Sequence, residues 1–267
     1  MKWRPVAAIV LRQWYLMRGS PTRVLPIFAW VTIDIVLWGF ITRYLNTFTN
    51  GGINFVPRLL GAVLFWDFFT RVMQGVTTAF LEDIWSRNFL NIFATPMSTT
   101  EYVSGLVITS IVTGLIGLTI MLALATGVFG LNFLSYGLTL IPFLMTLFLF
   151  GIALGVIASA MVLRLGPASE WLVWPMPALL APFAGVFYPL STLPSWMQAI
   201  AHLLPPSYMF EGMRAVVNGK SFAASGLVIG LLMSVVYVIL AAWCFQWIYR
   251  YTVRSGLLAR YSAESTG

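Results

Sequence analysis

The chain has 267 residues, of which 60% are apolar and only 9% are charged, and its mean hydropathy is +0.89. Soluble domains carry about 25% charged residues, so this composition excludes a water-soluble protein. A hydrocarbon core about 30 Å thick is crossed by roughly 20 apolar residues. The sequence therefore has length for several membrane spans in a single membrane domain, 1–267.

The net charge of +7 does not indicate nucleic acid binding, because the basic residues are spread along the flanks of apolar runs. One cysteine, Cys244, and one histidine, His202, exclude an intramolecular disulfide and a Cys/His zinc cluster within one copy. We expect no metal and no cofactor to be bound by this chain.

Six apolar runs are long enough to cross a bilayer, at about 24–42, 56–80, 103–129, 134–162, 172–190 and 226–249. With both termini in the cytoplasm, ten basic residues lie inside (Lys2, Arg4, Arg12, Arg18, Arg23, Arg87, Arg164, Arg250, Arg254, Arg260) and four outside (Arg43, Arg58, Arg214, Lys220). This asymmetry follows the positive-inside rule. The sequence predicts an all-α polytopic membrane protein with six transmembrane helices in the cytoplasmic (inner) membrane.

Smaller features refine this topology. Segment 1–23 alternates apolar and basic residues from Trp3 to Arg18, which predicts an amphipathic helix in the membrane interface. Glycines four residues apart, Gly151 with Gly155 and Gly226 with Gly230, predict close helix contacts. Span five contains Pro175, Pro177 and Pro182, which predict a kinked, internal or pathway-lining helix.

Segment 82–101 lies between the second and third spans and is too long for a tight turn. Its apolar residues (Ile84, Trp85, Phe89, Ile92, Phe93) recur at helical spacings, and Pro96 ends the pattern. This helix either rests on lipid or docks a partner. Glu82 and Asp83 suit anionic lipid poorly, which favours a partner.

Segment 185–220 lies between spans five and six and is rich in proline and aromatic residues. Pro194 and Pro205 bound one short helix, Ser195 to His202, and a second is predicted over Pro206 to Val217. The segment therefore predicts a structured outward-facing cap.

These two segments carry a resemblance to a known family. The first contains Thr95-Pro96-Met97-Ser98, and the second contains Gly185-Val186-Phe187-Tyr188-Pro189-Leu190, Leu193-Pro194, Trp196, Leu204-Pro205, Tyr208, Glu211 and Arg214. In this order the chain resembles the ABC-2 type exporter permeases, the transmembrane subunits of ABC transporters. It departs from many members where Asp83 is followed by Ile84 and Trp85 in place of a nearby glycine.

The resemblance implies a homodimer that works with two ATP-binding cassette subunits, which hold ATP and Mg, and that exports a hydrophobic small molecule, lipid or glycan. It implies that the 82–95 helix couples to the ATPase through Glu82, Asp83, Trp85, Phe89, Phe93 and Pro96. It further implies an outward gate or scaffold formed by Gly185, Tyr188, Pro189, Pro194, Trp196, Pro205, Tyr208, Glu211 and Arg214.

An ATPase site of its own would need a Gly-x-x-x-x-Gly-Lys-Ser/Thr loop. Gly219-Lys220-Ser221 ends such a pattern, but Arg214 stands where the first glycine belongs. We therefore expect this chain not to be an enzyme by itself.

Three charged residues fall inside predicted spans: Asp34 in the first, and Asp67 and Arg71 four residues apart on one face of the second. Because buried charges are costly unless paired, Arg71 is expected to bridge Asp67 and also to meet Asp34. The cluster is either a structural clasp or part of a pathway. It also leaves open a secondary transporter or channel, whereas a lipid-modifying enzyme would need acids less scattered than these.

Overall fold

The computed structural model describes residues 2–48, 55–86, 88–219 and 224–257, and all regular structure in these ranges is helical. Arg87, Lys220 and Arg260, counted above for the topology, lie outside the described residues. The helices are α1 (Trp3–Arg18), α2 (Pro21–Phe48), α3 (Gly61–Trp85), α4 (Phe89–Phe93), α5 (Thr99–Phe129), α6 (Leu140–Leu165), α7 (Met176–Ala184), α8 (Ser195–Ala201), α9 (Pro205–Val217) and α10 (Ala224–Arg254). A π-helical turn, Val56–Leu60, leads into α3, and 3₁₀ turns occupy Phe133–Thr139, Pro167–Leu172 and Leu190–Thr192.

Within the described ranges, four helices are long and apolar enough to cross a membrane: Val56–Trp85, Thr99–Phe129, Tyr136–Leu165 and Ala224–Arg254. Each has 30 or 31 residues, which at 1.5 Å per residue gives about 45 Å, more than the hydrocarbon thickness. They coincide with the second, third, fourth and sixth predicted spans. α2 covers the first predicted span but is not among these four, so the count of six stays a prediction.

The fifth predicted span, 172–190, is not one long helix. α7 has nine residues and is therefore only about 14 Å long. It follows a 3₁₀ turn, contains Pro182 and ends at Gly185 in the left-handed conformation. The proline-rich stretch thus forms several short pieces instead of the kinked helix expected.

Residues 166–190 nevertheless have to carry the chain back along the bundle after α6. α6 and α10 run parallel, because Phe150 packs on Tyr237 and, further along both helices, Arg164 lies over Trp247. Residues 166–190 follow α6 and return the chain towards the end of the bundle at which α6 begins.

α6 packs between α3 and α10 in the middle of the bundle. Gly151 and Gly155 face α3 so closely that a Cβ at Gly155 would lie 2.7 Å from the Met73 carbonyl oxygen. This confirms the close contact predicted from that glycine pair. Gly230 of α10 likewise faces Tyr208 of α9, where a Cβ would lie 3.2 Å from the tyrosine Cβ.

α1 is the helix predicted for the N-terminal segment, but its apolar residues do not form one free face. Val6 and Ile9 are buried, and Ile9 lies so near α5 that a Cβ at Gly105 would be 2.6 Å from it. Trp3 and Trp14 are exposed. α1 is therefore attached to the bundle through its inner face.

The bundle has two ends that carry the segments of interest. The Trp85 end is formed by α1, residues 83–102 and the turn Pro167–Leu172. The cap end is formed by residues 185–217 against the turns Val56–Leu60 and Phe133–Thr139. The two segments singled out in the sequence therefore lie at opposite ends of the molecule.

Candidate functional site

A cavity of about 650 Å³ opens between α1, α2, α3 and α5. Ten of its sixteen lining residues carry polar or charged side chains. The lining residues are Gln13, Met17, Trp30, Asp34, Asp67, Thr70, Arg71, Gln74, Gly75, Thr78, Ala79, Glu82, Thr109, Thr113, Gly114 and Trp174.

α3 supplies half of this wall through a single stripe. Its lining positions follow the three- and four-residue spacing of one helix face, and they are Asp67, Thr70, Arg71, Gln74, Gly75, Thr78, Ala79 and Glu82. From Asp67 to Glu82 the stripe extends about 22 Å along the helix. The Glu82 end of the stripe lies at the Trp85 end of the bundle.

Sequence reasoning missed most of this stripe. It singled out Asp67 and Arg71 for their charge and left out Thr70, Gln74 and Thr78, which lie on the same face. The signal was present, since a spanning helix with polar residues along one face lines a cavity or packs on other helices and does not face lipid. Counting all polar residues by helical position would have found it.

The three charged residues that fall inside predicted spans all line this one cavity. Asp34 projects from α2, Asp67 and Arg71 project from α3, and the three are near enough to interact electrostatically. Asp67 Oδ2 is buried and has no hydrogen-bond partner among the described residues. The Arg71 stem passes Gly117 of α5, where a Cβ would lie 3.3 Å from Arg71 Cδ.

Two tryptophans stand at the cavity wall. Trp30 lies one helical turn before Asp34 on α2, and Trp174 follows the turn Pro167–Leu172. Their exposed fractions are 63% and 43%. They therefore place partly open aromatic surface in the same cavity as the carboxylates.

At the Trp85 end, Asp83 is completely buried and joins three helices. It pairs with Arg12 of α1 and accepts a hydrogen bond of 2.7 Å from the Tyr102 hydroxyl of α5. Burial by itself lowers the pKa of Arg12, but the hydrogen bond to Asp83 and the negative charges of Asp83 and Glu82 raise it above its ordinary value. Asp83 is thus an internal clasp and not part of an exposed docking face.

The helix predicted over 82–95 is divided. α3 continues through Glu82 and Asp83 to Trp85, and α4 is a separate helix of five residues. Phe89 is only 1% exposed, and Phe93 packs on Tyr102 and Tyr249. The prediction of one amphipathic helix was wrong because these aromatic residues find partners inside the bundle.

Five exposed residues at this end are named the tip surface below: Trp85, Asn91, Ala94, Thr95 and Pro96. The Trp85 indole donates a 2.8 Å hydrogen bond to Glu170 from the turn Pro167–Leu172.

Beyond Pro96, a capping box starts α5. Ser98 Oγ accepts from the Glu101 amide, and the Glu101 carboxylate accepts from the Ser98 amide. The same carboxylate accepts a 2.6 Å bond from the Lys2 backbone amide. Hydrogen bonds at the start of α5, and between Glu101 and the Lys2 amide, therefore hold the backbone next to the tip surface.

At the cap end the two short helices predicted from the prolines are present as α8 and α9. Arg214 donates bonds of 2.6 Å to the Gly185 carbonyl and 2.9 Å to Glu211 Oε1, and Glu211 accepts from the Leu190 amide at 2.7 Å. Gly185 has φ of +62°, and a Cβ there would lie 2.7 Å from Leu190 Cδ2. α9 is thereby tied to the chain that leaves α7.

The other predicted cap residues also make specific contacts. Tyr188 donates to the Pro182 carbonyl and Tyr208 to the His202 carbonyl, while Trp196 packs edge-on against Phe183. Pro194 and Pro205 stand at the starts of α8 and α9, and Pro189 precedes the 3₁₀ turn Leu190–Thr192. These contacts account for a scaffold, while a gating role stays a prediction.

Among the described residues no group of three or more His, Cys, Asp or Glu side chains is placed to hold a metal ion. The cavity offers charge, hydrogen bonds and aromatic surface, which are the means of binding a solute.

Residues 5–218 match the family described as ABC-2 type transporter. The chain belongs to the ABC-2 type transporter family. This ABC-2 protein is accordingly a multi-pass membrane component of an ABC transporter, a class that works with ATP-binding cassette subunits. Comparison with individual curated proteins gives no match.

Proposed function

We propose that this chain is the permease of an ATP-driven exporter, which moves an amphiphilic small molecule, lipid or glycan out of the cytoplasm. The observation that carries the proposal is the α3 stripe, which lines a polar cavity in a chain of the ABC-2 family. A solute path through a membrane needs such polar wall, and a purely structural bundle does not.

The stripe also supports a route for coupling. α3 is continuous from Asp67 to Trp85, about 27 Å, so the helix that lines the cavity ends at the tip surface. Partner ATPase subunits, which carry ATP and Mg, would contact Trp85, Asn91, Ala94, Thr95 and Pro96. Movement there would be passed along α3 to the cavity.

At the opposite end, the cap would close the path from outside until the partner subunits bind ATP. The proposed assembly is a homodimer with two ATP-binding cassette subunits in the inner membrane, with both termini in the cytoplasm. The ten-to-four distribution of basic residues supports this orientation.

The coupling proposal is tested by affinity purification of the tagged chain from its native membrane. We expect an ATP-binding cassette protein to copurify, and the reconstituted complex to hydrolyse ATP. Trp85→Ala combined with Ala94→Arg should lower both copurification and ATP hydrolysis by roughly tenfold, because interface cores rely on a few central residues.

The matched control is Trp243→Ala, which removes another exposed tryptophan, 66% exposed, from the side of α10. It should leave both measurements unchanged. If the control and the tip variant behave alike, or if no ATP-binding subunit copurifies, the coupling proposal is wrong.

A further inference from the structure

We infer that the cavity binds a cationic group carried on an apolar cargo, with Asp34 and Asp67 as the charged contacts and Trp30 and Trp174 as the aromatic ones. This deepens the proposed function, on which it rests, by naming the chemical class of the cargo.

The charge balance of the cavity favours a cation. In the deep part of the cavity two carboxylates, Asp34 and Asp67, share the neighbourhood of one guanidinium, that of Arg71. With both carboxylates ionised the local charge is negative. A cargo bearing one positive charge restores neutrality, whereas an anionic cargo adds to the excess.

The cavity also holds a buried acceptor without a donor. Asp67 Oδ2 is buried and has no hydrogen-bond partner within the described part of the chain. A buried carboxylate oxygen without a partner is costly, and a positive charge brought beside it by the cargo would relieve that cost. Elsewhere in the cavity wall, Gln13, Gln74, Thr70 and Thr109 offer neutral hydrogen-bonding groups on three helices.

Part of the cavity wall is aromatic. Tryptophan is the side chain that attracts an organic cation most strongly over its face. Trp30 and Trp174 line the same cavity as the carboxylates and are 63% and 43% exposed. Carboxylate and indole together select a cation that also has apolar surface.

Glu82 continues the negative wall toward the Trp85 end. It also lies near enough to Arg12 to interact with its charge, so the charge of Glu82 is shared. The deep pair, Asp34 and Asp67, therefore determines the sign of the site, and Glu82 marks its cytoplasmic approach.

The cavity volume suits such a cargo. About 650 Å³ lies within the range of small-molecule sites, roughly 300–1,000 Å³. A cation with several aromatic rings would fit.

The test compares two ions of the same shape and opposite charge, tetraphenylphosphonium and tetraphenylborate. Each is titrated onto the purified full-length chain in nanodiscs of zwitterionic phosphatidylcholine, and binding to empty nanodiscs is subtracted. We expect saturable binding of the phosphonium and none of the borate. Saturable borate binding of equal or greater affinity would overturn the inference.

The variants Asp34→Asn and Asp67→Asn keep shape and remove charge, and each should weaken phosphonium binding by about tenfold. Trp174→Leu, which leaves the charged groups in place, should weaken it by about threefold. The matched control Glu170→Gln removes a carboxylate outside the cavity and should change nothing. If the two aspartate variants bind the phosphonium as tightly as the wild type does, Asp34 and Asp67 do not bind the cation and the inference fails.

This experiment is independent of the ATPase, because the permease alone is titrated. Loss of charge-selective binding with normal ATPase copurification refutes the cationic cargo and leaves the exporter intact. Charge-selective binding without any copurifying ATPase would support the cationic cargo and refute the exporter.

Discussion

The Trp85 end and the cap end are each held by one arginine and one carboxylate, yet the two pairs differ in burial and in reach. At the Trp85 end, Asp83 has no exposed side-chain surface and its partners come from α1 and α5. At the cap end, Glu211 is 41% exposed and its arginine lies three residues away on the same helix. The Trp85 end is thus locked across the bundle, whereas the cap is tied locally.

The largest expected effect is at the buried pair. Arg12→Ala leaves the Asp83 carboxylate uncompensated in the interior, and the free energy of unfolding should fall by about 3–5 kcal/mol. Chemical unfolding of the detergent-solubilised chain measures it. Arg4→Ala, an exposed arginine of the same helix, is the control, and equal losses for the two variants would contradict the lock.

A smaller loss is expected at the cap pair. Arg214→Leu removes charge-assisted hydrogen bonds to the Gly185 carbonyl and to Glu211, and stability should fall by about 2–3 kcal/mol. Limited proteolysis should show the earliest new cleavage within residues 185–217. Arg58→Leu, an exposed arginine at the same end, should show neither change, and early cleavage elsewhere in the Arg214 variant would argue against a local tie.

Gly185 allows a finer test of that tie. Gly185→Ala forces a left-handed residue to carry a Cβ that meets Leu190, and we expect a loss of about 2 kcal/mol. Gly219 has nearly the same φ, +66°, but open space around it, so Gly219→Ala should lose only about 1 kcal/mol. Equal losses in thermal unfolding would mean that the contact with Leu190 contributes nothing.

The smallest effect concerns the exposed link at the Trp85 end. Trp85→Phe removes the indole donor to Glu170 and should cost about 0.5 kcal/mol, since water replaces the bond. A double-mutant cycle with Glu170→Ala measures the coupling energy. A coupling energy above about 2 kcal/mol would contradict this prediction, because it would make the exposed bond as strong as a buried one.

Much of the fold could be predicted from sequence because its signals are local. Length and hydropathy located four spanning helices, and the prolines at 194 and 205 located α8 and α9. The break between Trp85 and Phe89 could not be predicted this way, since helical spacing continues across it. What ends the pattern is the packing of Phe89 against Phe80 and Tyr102, and of Phe93 against Tyr102 and Tyr249.

The site residues, too, could be predicted only in part from the sequence. Asp34, Asp67 and Arg71 were recognisable because charge inside an apolar run is rare, and they do line one cavity. The burial of Asp83 was not recognisable, because it depends on Arg12 and Tyr102, which are 71 and 19 residues away. Neutral members of the stripe carried too weak an individual signal.

The cavity has an electrical consequence. At about 30 Å³ per water molecule in the bulk liquid, its volume has room for roughly 20 waters. If water fills the cavity as far as Asp67, it carries a high dielectric constant into the membrane, and the transmembrane voltage would fall mainly across the layer between Asp67 and the cap. A charge bound at Asp67 would therefore sense that voltage over a shorter distance than the full bilayer.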